Sequence, residues 1–289
     1  MPFYATNPED GVRIAYDVTG SGEPLLLVHG SALSKAIWRG FGYTQALRNR
    51  YRVITVDLRG HGHSDKPHEP AAYAMDRVVA DSLAVIEAAG QPEETAAAGR
   101  PADSAVHYLG YSFGARIGFA LATLHPGRLR SFVSVAGTYR THPGTIAELF
   151  FPDFERAMET ARMPGFVAGW EQRLGRPLDP DTRRAFLAND SQALLAYFRA
   201  TDVQGGVPPE SLGGVRVPTL LLAGSADAGR LEDSRLAAAL IPGARLVELP
   251  GRNHGSTLTP AAEVLAAVEP FLARHSGGAA TGVAAASPE

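Results

Sequence analysis

Hydrophobic and polar positions follow two rhythms along this chain. Gly11 to Val18 alternates apolar and polar residues, the period-two pattern of a half-exposed strand. Pro24-Leu25-Leu26-Leu27-Val28 and Arg52-Val53-Ile54-Thr55-Val56 are short apolar runs, as expected of strands buried on both faces of a parallel sheet. Val106 to Gly110, Ser131 to Val135, Val217 to Ala223 and Arg245 to Leu249 read as further strands, and Pro218 sits near a strand start where a ladder N–H can be spared. Helical spacing fills the intervals: a segment with Trp38 that ends near Arg50, Met75 to Ala89 with Val78, Val79, Leu83 and Ile86 on one face, Phe113 through Leu124, and about Pro260 to Arg274. Strand and helix in strict alternation predict an α/β fold, a mostly parallel central sheet with helices on both faces.

The alternation breaks between Gly137 and Val215. Helical patterns there cover Ala147 to Met163, Gly165 to Leu174 and Thr182 to Thr201, with no convincing strand. The expectation is a helical lid, residues 137–214, inserted into a core built from residues 1–136 and 215–275. Gln91 to Asp103 reads as an exposed loop and residues 276–289, rich in small side chains, as a disordered tail.

Composition changes this picture little. With 45% hydrophobic and 20% charged residues over 289 positions, a largely disordered chain is excluded. A formal net charge of -3 gives no electrostatic reason to expect nucleic acid, so the expected partner is a small molecule. The absence of cysteine removes disulfides, thiolate metal sites and a cysteine nucleophile. Met1-Pro2-Phe3-Tyr4 lacks the basic segment of a signal peptide, and no apolar run approaches the ~20 residues that span a bilayer. A cytoplasmic protein that does not engage a membrane is therefore expected.

Candidate chemistry gathers just past strand ends, where open parallel sheets place their functional groups. Gly110-Tyr111-Ser112-Phe113-Gly114 reads as strand, sharp turn and helix, with Ser112 at the apex. Glycine suits both flanks because a side chain there would collide with neighbouring backbone. The helix that starts at Phe113 aims free N–H groups at the same spot, which suits a developing oxyanion. A serine hydroxyl alone is a poor nucleophile; a histidine can take its proton and a carboxylate can hold that histidine's tautomer. His254, after the last strand, and Asp227, after the strand that ends at Ala223, supply those roles. His29-Gly30-Ser31-Ala32 forms a further turn that can present backbone N–H groups. Asp57, His61 and His63 invite a metal reading, but no further clustered ligands follow and a structural turn is preferred.

Through His29-Gly30, the Asp57 to Ser64 turn, Gly110 to Gly114, Gly224 to Asp227 and Asn253-His254-Gly255, the chain resembles the α/β-hydrolase family over nearly its full length. The resemblance implies the Ser, Asp, His chain order, an oxyanion hole from the backbone N–H groups of Ser31 and Phe113, a lid after the sixth strand and no cofactor. Members that displace halide or open epoxides carry aspartate where this chain has Ser112, which argues against those activities. Ala228-Gly229-Arg230 departs from the apolar or proline-bearing turn of many relatives. The reading is a serine hydrolase that cleaves a small, largely apolar ester through an acyl-enzyme, without metal or cofactor. Trp38, Tyr111, Phe154 and Trp170 are its candidate substrate contacts, drawn from an aromatic set that as a whole favours an apolar ligand. The alternatives are carbon-carbon bond hydrolysis, cofactor-free lyase or perhydrolase chemistry in the same site, and a non-catalytic ligand-binding protein of the same fold.

Overall fold

The computed structural model describes residues 1–89, 105–141 and 143–277; the loop expected from Gln91 to Asp103 and all but the first two residues of the tail expected over 276–289 lie outside the described residues. The apolar runs assemble into one sheet. Its strands are β1 (Phe3–Thr6), β2 (Arg13–Thr19), β3 (Glu23–Val28), β4 (Tyr51–Val56), β5 (Val106–Tyr111), β6 (Leu129–Val135), β7 (Thr219–Gly224) and β8 (Arg245–Leu249). They lie in the order β1-β2-β4-β3-β5-β6-β7-β8. β1 and β2 pair antiparallel at one edge, β2 joins β4 antiparallel, and every further pairing is parallel.

Successive side chains of a strand point to opposite faces, and both faces are covered. Leu26, Val28, Ile54 and Tyr108 pack with the helices Met75–Ala89 and Phe113–Leu124, while Leu25, Leu27, Val53 and Leu109 pack with Trp38, Tyr43, Leu47 and the helix Ala261–Arg274. Residues Leu25 to Val28 are wholly inaccessible. Each such side chain contributes about 1.5–3 kcal/mol of burial before conformational entropy is charged against it.

From β3 the chain crosses to β4 on one side, then returns to lay β5 on the other. The loops that leave β3 and β5 therefore part from each other and open a crevice at the carboxyl ends of the strands. Helices Thr145–Leu149, Phe154–Leu174, Pro180–Leu187, Ser191–Val203 and Pro209–Leu212 form the insertion between β6 and β7. Their bounds differ from the sequence expectation. The pattern read from Ala147 to Met163 is interrupted after Leu149, and the next helix runs from Phe154 to Leu174 with a local break at Arg162 (φ 54°), shortly before Pro164. The segment read from Thr182 to Thr201 divides where Asp190 caps a new helix by accepting from the N–H groups of Gln192 and Ala193 at 3.0 and 2.9 Å. Among the described residues, no helix is long and apolar enough to cross a membrane.

Candidate active site

Ser112 occupies a backbone conformation that few non-glycine residues adopt, φ 52° and ψ -114°. Such a residue costs about 1–3 kcal/mol and persists only where its surroundings impose it. Here they do: Ser112 N–H donates to the Val135 carbonyl at 2.9 Å, and its own carbonyl accepts the helical bond from Arg116 N–H at 3.1 Å. The flanking glycines are required sterically. A Cβ at Gly114 would stand 2.3 Å from the Val28 carbonyl oxygen, and one at Gly110 would stand 2.4 Å from Ala115 N. The elbow thus fits against the end of β3 and lifts the hydroxyl clear of the sheet.

Ser112 Oγ lies 3.0 Å from His254 Nε2, and His254 Nδ1 lies 2.8 Å from Asp227 Oδ2. With Nδ1–H donating to the carboxylate, Nε2 is left to accept the serine proton. Both turns are pinned. Ala226 N–H donates to the Arg252 carbonyl at 3.0 Å and Ser225 N–H to the Leu249 carbonyl at 2.9 Å, which ties the acid's turn to the histidine's. Asn253 caps the short turn His254–Ser256 through reciprocal bonds with Ser256. Tyr111 donates its hydroxyl to the His254 carbonyl at 2.7 Å and stacks on the imidazole with ring centres 5.6 Å apart. Asp233 is engaged elsewhere: it accepts from Thr138 Oγ1 at 2.5 Å and from Arg140 Nε at 2.6 Å.

The other motif residues hold the loop that follows β3. His29 Nδ1 meets the Gly30 carbonyl at 2.7 Å and its Nε2 accepts from Leu58 N–H at 3.1 Å. His61 repeats the arrangement, with Nδ1 on the Arg59 carbonyl and Nε2 accepting from Ala32 N–H. Burial holds both imidazoles below their ordinary pKa, His61 down to about 3, so each is neutral with its proton on Nδ1. Asp57 accepts from the main chain of Lys35 and His63 and pairs with the Lys35 ammonium at 2.7 Å. The trio considered for a metal is thus occupied with turn geometry. With the Gly30 carbonyl drawn toward His29, a trans peptide turns Ser31 N–H to the opposite side. Ser31 N–H and Phe113 N–H, unlike those of Ala32, Leu33 and Ser112, donate to no protein acceptor among the described residues.

A cavity of about 40 Å³ adjoins Ser112, lined by Ser31, Phe113, Arg116 and Ala136 from the core, by Thr145, Ile146, Leu149 and Tyr197 from the insertion, and by Arg230. A wider hollow of about 530 Å³ continues outward past Arg230 and Leu149 to Asp227 and His254. The candidate substrate contacts fall elsewhere. Trp38 is wholly buried on the opposite face of the sheet, edge-on to Tyr43 at 5.3 Å. Phe154 packs on Phe198 and Trp170 on Phe150 and Phe186, where the insertion's helices bury their aromatic faces against each other. Tyr111 supports His254 from behind. An aromatic-rich composition does not say toward which neighbour a ring points. Tyr197 is the aromatic that reaches the site: its hydroxyl meets Ser31 Oγ at 2.6 Å and its ring abuts Phe113 and His61, each at 5.0 Å. Arg116 and Arg230 reach the same cavity without any local sequence pattern that marks them.

A family model described as alpha/beta hydrolase fold matches residues 23–208. The chain belongs to the α/β-hydrolase fold family. Among the relatives of this α/β-hydrolase, a pimeloyl-[acyl-carrier protein] methyl ester esterase of Methylococcus capsulatus is 29% identical over 194 residues, 67% of this chain and 65% of that enzyme, so the match spans just under two thirds of the relative. A like-named esterase of Stenotrophomonas maltophilia is 29% identical over 282 residues, 89% of this chain and 95% of its own. The crystal structure of the enol-lactonase from Burkholderia xenovorans LB400 superimposes with a TM-score of 0.75 at 24% identity, covering 94% of this chain and 100% of that one, a likeness of fold.

Proposed function

We infer that this α/β-hydrolase cleaves carboxylic esters through an acyl-enzyme on Ser112. The observation that carries the reading is the continuous line of hydrogen bonds from Asp227 through His254 to Ser112. In the reaction, Ser112 Oγ attacks the ester carbonyl carbon as its proton passes to His254 Nε2, and Asp227 stabilises the resulting imidazolium. Ser31 N–H and Phe113 N–H receive the oxyanion, a term worth about 3–4 kcal/mol per donor. Collapse expels the alcohol, which takes the proton from His254, and water then repeats the sequence to release the acid. The esterase names of two relatives favour ester over carbon-carbon chemistry. The helices between β6 and β7 act as the lid, since they roof the cavity with Ile146, Leu149 and Tyr197. The largely apolar substrate expected from the aromatic count loses its basis, because those rings pack on one another.

A fluorophosphonate probe tests the reading. Ser112 should be labelled covalently, and Ser112→Ala should remain folded while ester turnover falls by about 10⁴-fold or more. An unlabelled protein, or a variant that hydrolyses esters near the wild-type rate, overturns it.

A further inference from the structure

Arg230 stands at the end of a helix that does not favour a cation. It lies in the first turn of the helix Ala228–Leu240, whose dipole end and free N–H groups oppose a cation. Of the acids that line the outer hollow with it, Asp227 faces His254, Glu232 and Asp233 face Arg140 at 3.9 and 2.6 Å, and Glu148 is likewise engaged. Among the described residues, the Arg230 side chain has neither an ion-pair partner nor a hydrogen bond. Its side chain lines both the cavity beside Ser112 and the outer hollow.

Arg116 lines the same cavity and is 5% exposed. Its terminal nitrogens donate to the carbonyls of Thr201, Gln204 and Gly205, which closes the end of the helix Ser191–Val203, but its Nε has no partner among the described residues. Among the described residues no carboxylate pairs with it. Burial lowers this guanidinium to about 10, which leaves it charged at neutral pH. The inner cavity therefore sees two positive charges and no acidic side chain; its remaining lining is hydroxyl and apolar.

A neutral ester that displaced water from this cavity would strip solvent from the buried Arg116 and from the cavity side of Arg230 without supplying a counterion, an expensive arrangement. An anionic ester would supply the missing counterion. We propose that Arg230 and Arg116 form an anion subsite of the Ser112 cavity, and that the preferred substrate is an ester carrying a carboxylate seated against Arg230 with Arg116 behind it. The proposal rests on the serine-esterase reading above. Arg230 is the specificity-determining contact, while Arg116 also positions the insertion.

Matched monomethyl and dimethyl esters of straight-chain diacids of increasing length test it, through kcat/KM on the full-length protein. The wild type should favour the half-esters by about tenfold or more at the best length, the scale of one hydrogen bond to a charged group. Arg230→Gln should remove most of that ratio, chiefly through KM. Arg230→Glu should shift preference toward an ester that bears a quaternary ammonium group. Fluorophosphonate labelling of every variant runs in parallel. A labelled wild type with no half-ester preference at any length, or a ratio unchanged in labelled Arg230→Gln, overturns the subsite and leaves the esterase reading standing. Failure of the wild type to label overturns the esterase reading itself.

Discussion

Asp227 and Asp233 are near neighbours in sequence, yet their surroundings assign them different work. Asp227 lies in the short turn after β7 and meets His254 Nδ1 at 2.8 Å, while Asp233 is engaged by Thr138 and Arg140. Replacing each by asparagine separates the two roles. Asp227→Asn should lower kcat by about 10⁴-fold, because the amide favours the wrong imidazole tautomer. Asp233→Asn should keep kcat within its order of magnitude and instead lower stability in urea unfolding by about 1.5–3 kcal/mol, the cost of a lost hydrogen bond to a charged group. A crippled Asp233→Asn enzyme would mean that the acid is misassigned. Ser112, Asp227 and His254, which the structure joins in one hydrogen-bonded line, could be picked out from the sequence because each lies in the turn after a recognisable strand. Arg116, Tyr197 and Arg230 could not: their meaning comes from contacts such as Tyr197 with Ser31, 166 residues apart, which no local pattern encodes.

At the scale of elements, the elbow depends on how closely the helix Phe113–Leu124 approaches the end of β3. Gly114 lies against the carbonyls of Val28 and His29, which cannot yield without disturbing the sheet. Gly114→Val should therefore destabilise the protein by more than the roughly 1–3 kcal/mol usual for overpacking, and thermal denaturation followed by circular dichroism measures it. A stable, active variant would contradict this geometry. The inner strands were legible because strands covered on both faces read as unbroken apolar runs. β1 escaped notice since Phe3, Tyr4 and Thr6 are exposed and only Ala5 is buried, so its four residues carry little periodicity. In the insertion, periodicity found the helices but not their ends, because the chain turns at Phe150 to Asp153 and at Ala188 to Asp190 without losing its apolar spacing.

For the whole molecule, the neutral histidines of the core set an acid limit. His29, His61 and His107 have folded pKa values below the ordinary 6.5, mainly through desolvation. The unfolded chain therefore binds more protons than the folded one once pH drops below about 6.5, and stability falls with pH from there toward the folded values, about 3 for His61. Thermal melts should be level near pH 8 and decline between pH 6.5 and 5, above the range in which ordinary carboxylates titrate. Each histidine contributes at most about 1.4 kcal/mol per pH unit to the slope. His61→Gln should be less stable at pH 8 and decline less steeply; an equal slope would remove His61 from the account.

The distance along the chain between Ser112 and His254, 142 residues, has a further consequence for a protein made from one end to the other. On the serine-esterase reading proposed above, Ser112 emerges from the ribosome long before the histidine that would activate it. Until β8 and the loop after it have docked, the serine is an ordinary alcohol that can neither attack cellular esters nor be captured by them. The newborn polypeptide is in that respect its own safety catch, released by the arrival of its last strand.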